Sequence, residues 1–166
     1  NNLISLPQLP PRLVNLHTFQ NPSLHSLGNL PSSLEYLHCG SDSLTSFPYA
    51  PNLKQIYAGF NQISSISLFP PQLELLDIDN NGISSLPPLP ASIRNLSSSF
   101  NLLTSFPELP DSIELLGLME NNISQIDSFP KYLRSLNISF NNLDSTPPFP
   151  ERIEKIAIAY NNISVL

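Results

Sequence analysis

The chain has 166 residues, 18 of them proline, and a formal charge of −6. That is one ordinary domain's worth of chain, and its acidic balance disfavours nucleic acid, whose phosphates select clustered Lys and Arg. No run of about 18 apolar residues could span a membrane. The opening NNLISLPQLP lacks the basic and apolar regions of a signal peptide. A lone cysteine, Cys39, excludes an internal disulfide framework and favours a reducing compartment.

Taken in order, the chain repeats itself. A first apolar position falls at Leu13, Leu34, Leu53, Leu73, Ile93, Ile113, Leu133 and Ile153, at intervals of 21, 19 and then 20 residues throughout. A second follows at Leu16, Leu37, Ile56, Leu76, Leu96, Leu116, Leu136 and Ile156, and a looser third two residues later, from Thr18 and Cys39 to Ile158. The two-residue step predicts a short strand with both side chains on one face. Next comes Asn21, Asp42, Asn61, Asn81, Asn101, Asn121, Asn141 and Asn161. A buried amide donates and accepts at once, so stacked asparagines can satisfy the turn leaving each strand. Asp42, which when ionised only accepts, makes the second repeat the expected weak rung.

Proline stands three residues before the first strand position at Pro10, Pro31, Pro70, Pro90, Pro110, Pro130 and Pro150, with Pro51 displaced by one in the shortened repeat. Proline fixes φ and cannot donate, so an extended, polyproline-like return is expected in place of a helix. Armadillo, HEAT and tetratricopeptide repeats are thereby excluded. The residue after the first strand position reads Glu35, Lys54, Glu74, Arg94, Glu114, Arg134, Glu154. With strands ~4.8 Å apart this is a ladder of alternating charge. It is read as structural, setting register more than stability, at ~0–1 kcal/mol per exposed pair.

The strings LPQLPPRL, LPPLPASI and FPELPDSI, each leading to a strand and its ladder asparagine, resemble the short bacterial class of leucine-rich repeats. That class includes YopM-like secreted effectors and IpaH-type ubiquitin ligases, and the resemblance covers essentially the whole chain. The sequence departs from it where Phe69, Phe129 and Phe149 replace leucine, and where Ile66-Ser67 and Ile126-Asp127 replace leucine-proline. The resemblance implies an α/β-class horseshoe solenoid that is secreted by a bacterium, acts in the host cytoplasm and binds a host protein. In the ligases a separate C-terminal helical domain carries a catalytic cysteine, and nothing here matches it. Residues 1–166 are therefore expected to be a single repeat domain of about eight repeats, a fragment of a longer chain. Asn1 occupies a ladder position and Leu166 falls inside a repeat, with no polar cap at either end. End-to-end or edge association through uncovered repeats is a further expectation.

Candidate chemistry reduces to structure in most places. Asp77-Ile78-Asp79-Asn80-Asn81-Gly82 imitates the opening of an EF-hand loop, but its twelfth position is Pro88 where a bidentate Glu is needed. His17 and His38 are neighbours in adjacent repeats without the further ligands zinc wants. Asp77 lies two strands from His38 and Ser97 one further, too far apart for a catalytic triad. Cys39 faces inward as a small core residue. No metal, cofactor or catalytic residue is therefore assigned. The sequons at Asn95, Asn122, Asn137 and Asn162 arise from the repeat itself. Phe60, Phe100, Phe140 and Tyr160, before the ladder position, are expected to pack over the strand-to-loop turn.

The expected fold is a right-handed curved solenoid with very short parallel strands on its concave face and almost no helix. The outward strand row reads His17, His38, Tyr57, Asp77, Ser97, Gly117, Asn137, Ala157. Aromatic and acidic groups gather in its N-terminal half, while Gly117–Ala159 is plain. A protein partner is expected on Tyr36, His38, Tyr57, Leu75, Asp77 and Asp79. The function read from this is a non-catalytic binding scaffold. The alternatives are the recognition half of a ubiquitin ligase and an extracellular receptor-like binder, the last marked by sugar on Asn122 or Asn162.

Overall fold

Every repeat enters its strand through a turn closed on the carbonyl three residues earlier. Leu73 N–H donates to Pro70 O at 3.2 Å, and Ile113 N–H donates to Pro110 O at 3.2 Å. Proline suits the position because it supplies a carbonyl and leaves no N–H to satisfy. In the 19-residue repeat Ala50 takes the place, accepting from Leu53 at 3.2 Å, which explains why Pro51 stands one residue late.

In the computed structural model, which describes residues 2–164, these turns feed eight three-residue strands. They are β1 (Asn15–His17), β2 (Tyr36–His38), β3 (Gln55–Tyr57), β4 (Leu75–Asp77), β5 (Asn95–Ser97), β6 (Leu115–Gly117), β7 (Ser135–Asn137) and β8 (Lys155–Ala157). All pair in parallel, in chain order, in one sheet. The returns between strands are extended, and no described residue is helical. This is the leucine-rich-repeat horseshoe expected. Asn1, expected on the asparagine ladder, and Leu166, expected inside a repeat, lie outside the described residues.

The core is a stack of like residues. Leu34, Leu53, Leu73, Ile93, Ile113 and Leu133 are fully buried, as are Leu37 and Ile56 from the second position. Leu24, Leu44, Ile63, Ile83, Leu103, Ile123 and Leu143 of the return close the layer from the other side. Each such side chain contributes about 1.5–3 kcal/mol when fully buried. The contribution depends on the repeat above and below, so stability is shared between neighbours.

The asparagines bind consecutive turns together. Asn81 Oδ1 accepts from Ile63 N–H at 2.9 Å, while its Nδ2 donates to Ile78 O and to Ala58 O of the preceding repeat, both at 3.1 Å. Asn61 Nδ2 shares the same Ala58 carbonyl at 3.0 Å. Asp42 breaks this pattern, but two donors have moved to it. Thr18 Oγ1 donates to Oδ2 and Asn21 N–H to Oδ1, each at 2.8 Å. The Cys39 carbonyl accepts instead from Asn61 Nδ2 at 2.9 Å. Burial still pushes the Asp42 carboxyl above the usual carboxylate range, with the Thr18 and Asn21 hydrogen bonds and His38 opposing it.

The residue before each ladder position has a left-handed backbone, with φ between 52° at Glu120 and 64° at Gln20. This turns the chain off the strand while its N–H stays bonded to the next repeat, as in Phe60 to Asp79 O and Phe100 to Met119 O, both 2.8 Å. The conformation costs an ordinary L-residue about 1–2 kcal/mol. It also directs the side chain outward, which corrects the expectation for the aromatics there. Phe60 is 62% exposed and Tyr160 73%, and Phe140 stacks on Tyr160 with centroids 4.2 Å apart. The charge ladder resolves into three closed pairs: Lys54–Glu35 at 2.9 Å, Arg94–Glu114 at 2.9 Å and Arg134–Glu154 at 2.6 Å. Glu74 belongs to none of them.

Candidate functional site

Parallel register places equivalent residues side by side. His38 pairs with Tyr57 and Tyr57 with Asp77, while Tyr36, Gln55 and Leu75 form the adjacent row. Three of the six expected site residues form one ring cluster. Tyr36 and His38 each lie 5.6 Å, centroid to centroid, from Tyr57. His17 and Phe19 complete the cluster, His17 at 5.0 Å from Tyr36 and Phe19 stacked on His38 at 4.6 Å. His17 stands in the outward row of the sequence, and Phe19 two residues further on. Their joining was not visible there, because it depends on ring orientation. Burial raises the Tyr57 phenol above its ordinary value, with Tyr36 and Asp77 adding to the rise. At neutral pH it therefore keeps its proton and can donate.

The cluster opens into a shallow hollow of about 360 Å³ running across β3 to β7. Tyr57, Leu75 and Asp77 form one end, Leu115 and Gly117 the middle, and Ser135 and Asn137 the other end. At Gly117 the hollow has no side chain to fill it. A Cβ there would sit 2.9 Å from Ser97 Oγ. The region read as plain thus contributes Gly117, Ser135 and Asn137 to the lining of the hollow. A lone glycine at a strand position is the sequence feature that marks such a place.

Asp79 behaves differently from Asp77. Its Oδ1 accepts from Ser97 Oγ at 2.8 Å and from Ser99 N–H at 2.6 Å. Burial raises its carboxyl above the usual range, the Ser97 and Ser99 hydrogen bonds act against this, and Asp77 adds to the rise. Asp77 Oδ1 accepts the Asp79 N–H at 3.1 Å and otherwise faces the concave surface. Gly59 lies behind the pair, where a Cβ would come within 3.1 Å of Asp77 Oδ1. Asp77 therefore lines the concave hollow, while Asp79 holds β5 in place beside it.

Among the described residues no three His, Cys, Asp or Glu side chains gather as a metal-binding group. Cys39 is fully buried, and burial, with Asp42 adding, drives its thiol far above the ordinary range, so no thiolate forms. No described helix is long and apolar enough to cross a membrane.

No protein-family model matches the sequence, and no curated protein is significantly similar to it. Solved structures are. A Shigella effector LRR domain is 30% identical with a TM-score of 0.80, the match covering 90% of this chain and 70% of that one. The chain belongs to the leucine-rich-repeat family of bacterial effectors. Within that family, YopM from Yersinia enterocolitica WA-314 is 29% identical with a TM-score of 0.80, over 99% of this chain and 41% of that one. YopM from Yersinia pestis is 25% identical with a TM-score of 0.68, over 98% and 59% respectively. The chain thus spans about two fifths to three fifths of the YopM chains it matches.

Proposed function

We infer that this chain is a non-catalytic scaffold of a secreted bacterial effector that grips a host protein on its concave face. The observation that carries the reading is the continuity of the ring cluster with the hollow. Tyr36, His38 and Tyr57 run into Leu75 and Asp77 without a break, giving aromatic anchors beside one acidic side chain. Interfaces concentrate their energy in such anchors. Asp79 contributes by fixing Ser97 and Ser99 at the edge of the contact. Ubiquitin-ligase recognition would use the same surface with a catalytic domain joined to it. The intact mass of the natural protein separates these readings.

The test is a double variant, Tyr57→Ala with Asp77→Ala. The partner is first captured from host-cell lysate on the natural chain, identified, and titrated against both proteins. Binding should weaken at least about tenfold, since each anchor is worth about 1–2 kcal/mol or more, while thermal unfolding stays cooperative. Equal binding by the double variant removes the assignment.

A further inference from the structure

The concave face is almost bare of cations. Its three outward rows start at Asn15, His17 and Phe19, and they hold no Lys or Arg before Lys155 on β8. Their only acidic side chains are Asp77 and Asp79, side by side at the ring cluster. By formal charge the hollow is therefore an acidic place on a chain of net charge −6. Asp79 is occupied by Ser97 and Ser99. Asp77 forms no ion pair among the described residues, and its Oδ1 accepts the Asp79 N–H at 3.1 Å.

Whatever fills the hollow strips water from Asp77, and a covered acidic group is costly unless it is paired. An apolar side chain leaves it unpaired, and an acidic one adds a like charge. Tyr57 narrows the choice further. Its ring neighbours, Tyr36 and His38, both lie on β2, while on the β4 side it borders the hollow beside Leu75 and Asp77. Aromatic rings attract cations that come within about 6 Å of the centroid. Ring and carboxyl group, on adjacent strands in register, thus select the same chemistry. We propose that the hollow receives a basic side chain, arginine or lysine, from an extended segment of a protein partner. Its charged head sits between the Tyr57 ring and the Asp77 carboxyl, and its aliphatic stem lies along Leu75 and Leu115. Arginine suits the place best, since its planar fork stacks on rings and meets carboxyl groups. The hollow crosses β3 to β7, and strands ~4.8 Å apart give it a span of about 19 Å, the length of about six extended residues. The proposal rests on the scaffold reading above and adds the chemistry of the residue the scaffold takes.

The experiment selects a phage-displayed library of random seven-residue peptides on the natural chain. The tightest binders are synthesised, each also with citrulline in place of arginine or norleucine in place of lysine, and titrated by fluorescence anisotropy. The selected peptides should share one arginine or lysine, and its neutral replacement should weaken binding at least about tenfold. Asp77→Asn, which keeps the acceptor for the Asp79 N–H, should weaken binding about tenfold. Tyr57→Leu, which keeps an apolar side chain, should weaken it about threefold. Added salt should weaken the natural pair and leave the neutral peptides unaffected. A selection that returns no peptide, or peptides with no shared basic residue, overturns the proposal. So does equal binding of the neutral replacements. The two readings fail differently. Neutral replacements that keep full affinity, while the Tyr57→Ala/Asp77→Ala variant loses it, remove the basic side chain and keep the concave face. Full affinity in that double variant moves the peptide off the concave face and removes both.

Discussion

Asn141 offers the sharpest test of how the turns are held. Its side chain is 7% exposed, Oδ1 accepts from Ile123 N–H at 3.0 Å, and Nδ2 donates to Leu118 O at 2.9 Å and Ile138 O at 3.2 Å. Asn141→Asp keeps the acceptor but turns a carboxylate oxygen toward these two carbonyl oxygens and that of Ser139, 3.3 Å from Nδ2. The Leu118 and Ile138 carbonyls keep other donors, Asn121 at 3.2 Å and Asn161 at 3.0 Å, so the cost lies in the buried charge. An uncompensated buried charge costs about 3–5 kcal/mol. Asn121→Asp is the internal comparison. Ser98 stands to Asn121 as Thr18 stands to Asp42, and its hydroxyl can donate to the new carboxylate as Thr18 does. Leu118, which stands in the same relation to Asn141, has no donor. A hydrogen bond to a charged group returns about 1.5–3 kcal/mol. Urea unfolding at pH 7, followed by circular dichroism, should show Asn141→Asp losing about 3–4 kcal/mol and Asn121→Asp roughly half of that. Equal losses in the two variants, or a loss under about 1 kcal/mol at Asn141, would refute the reasoning.

The same logic predicts that Asp42→Asn stabilises the chain by about 1 kcal/mol at pH 7, the worth of one hydrogen bond. Because the folded carboxyl of Asp42 is raised, its charge costs stability above that raised value, and the cost fades as acid protonates it. The advantage of the Asp42→Asn variant should therefore shrink as pH falls from neutrality toward the ordinary carboxylate range, which paired unfolding curves would measure. Phe60→Asn should raise stability by about 0.5–1 kcal/mol, since asparagine tolerates φ of 58° and the phenylalanine is 62% exposed. A calorimetric melt reads this directly, and a lowered melting temperature would show that Phe60 packs in solution.

The strands and their register were legible because a fixed period leaves one way to stack like on like. Leu73 must lie beside Leu53 and Ile93 if any of them is to be buried. The asparagine ladder was legible for the same reason. What escaped depends on geometry between side chains of neighbouring repeats. Phe60, Glu120 and Tyr160 give no hint of a left-handed backbone, because the turn off each strand and the bonds between repeats impose it. Asp79 reads as a surface acid in the sequence, and only the fold brings Ser97 and Ser99 to offer it two donors. The hollow past Gly117 is shared by residues from five strands, β3 to β7. A row-by-row reading sees composition there and misses depth.

The central claim, that the concave face takes the partner, is tested most directly by hydroxyl-radical footprinting of the chain with and without the captured host protein. Tyr36, His38, Tyr57 and Leu115 should lose reactivity in the complex, while Tyr49 and Leu68 on the return side, 44% and 51% exposed, keep theirs. Protection of Tyr49 and Leu68 with an unchanged concave face would contradict the account.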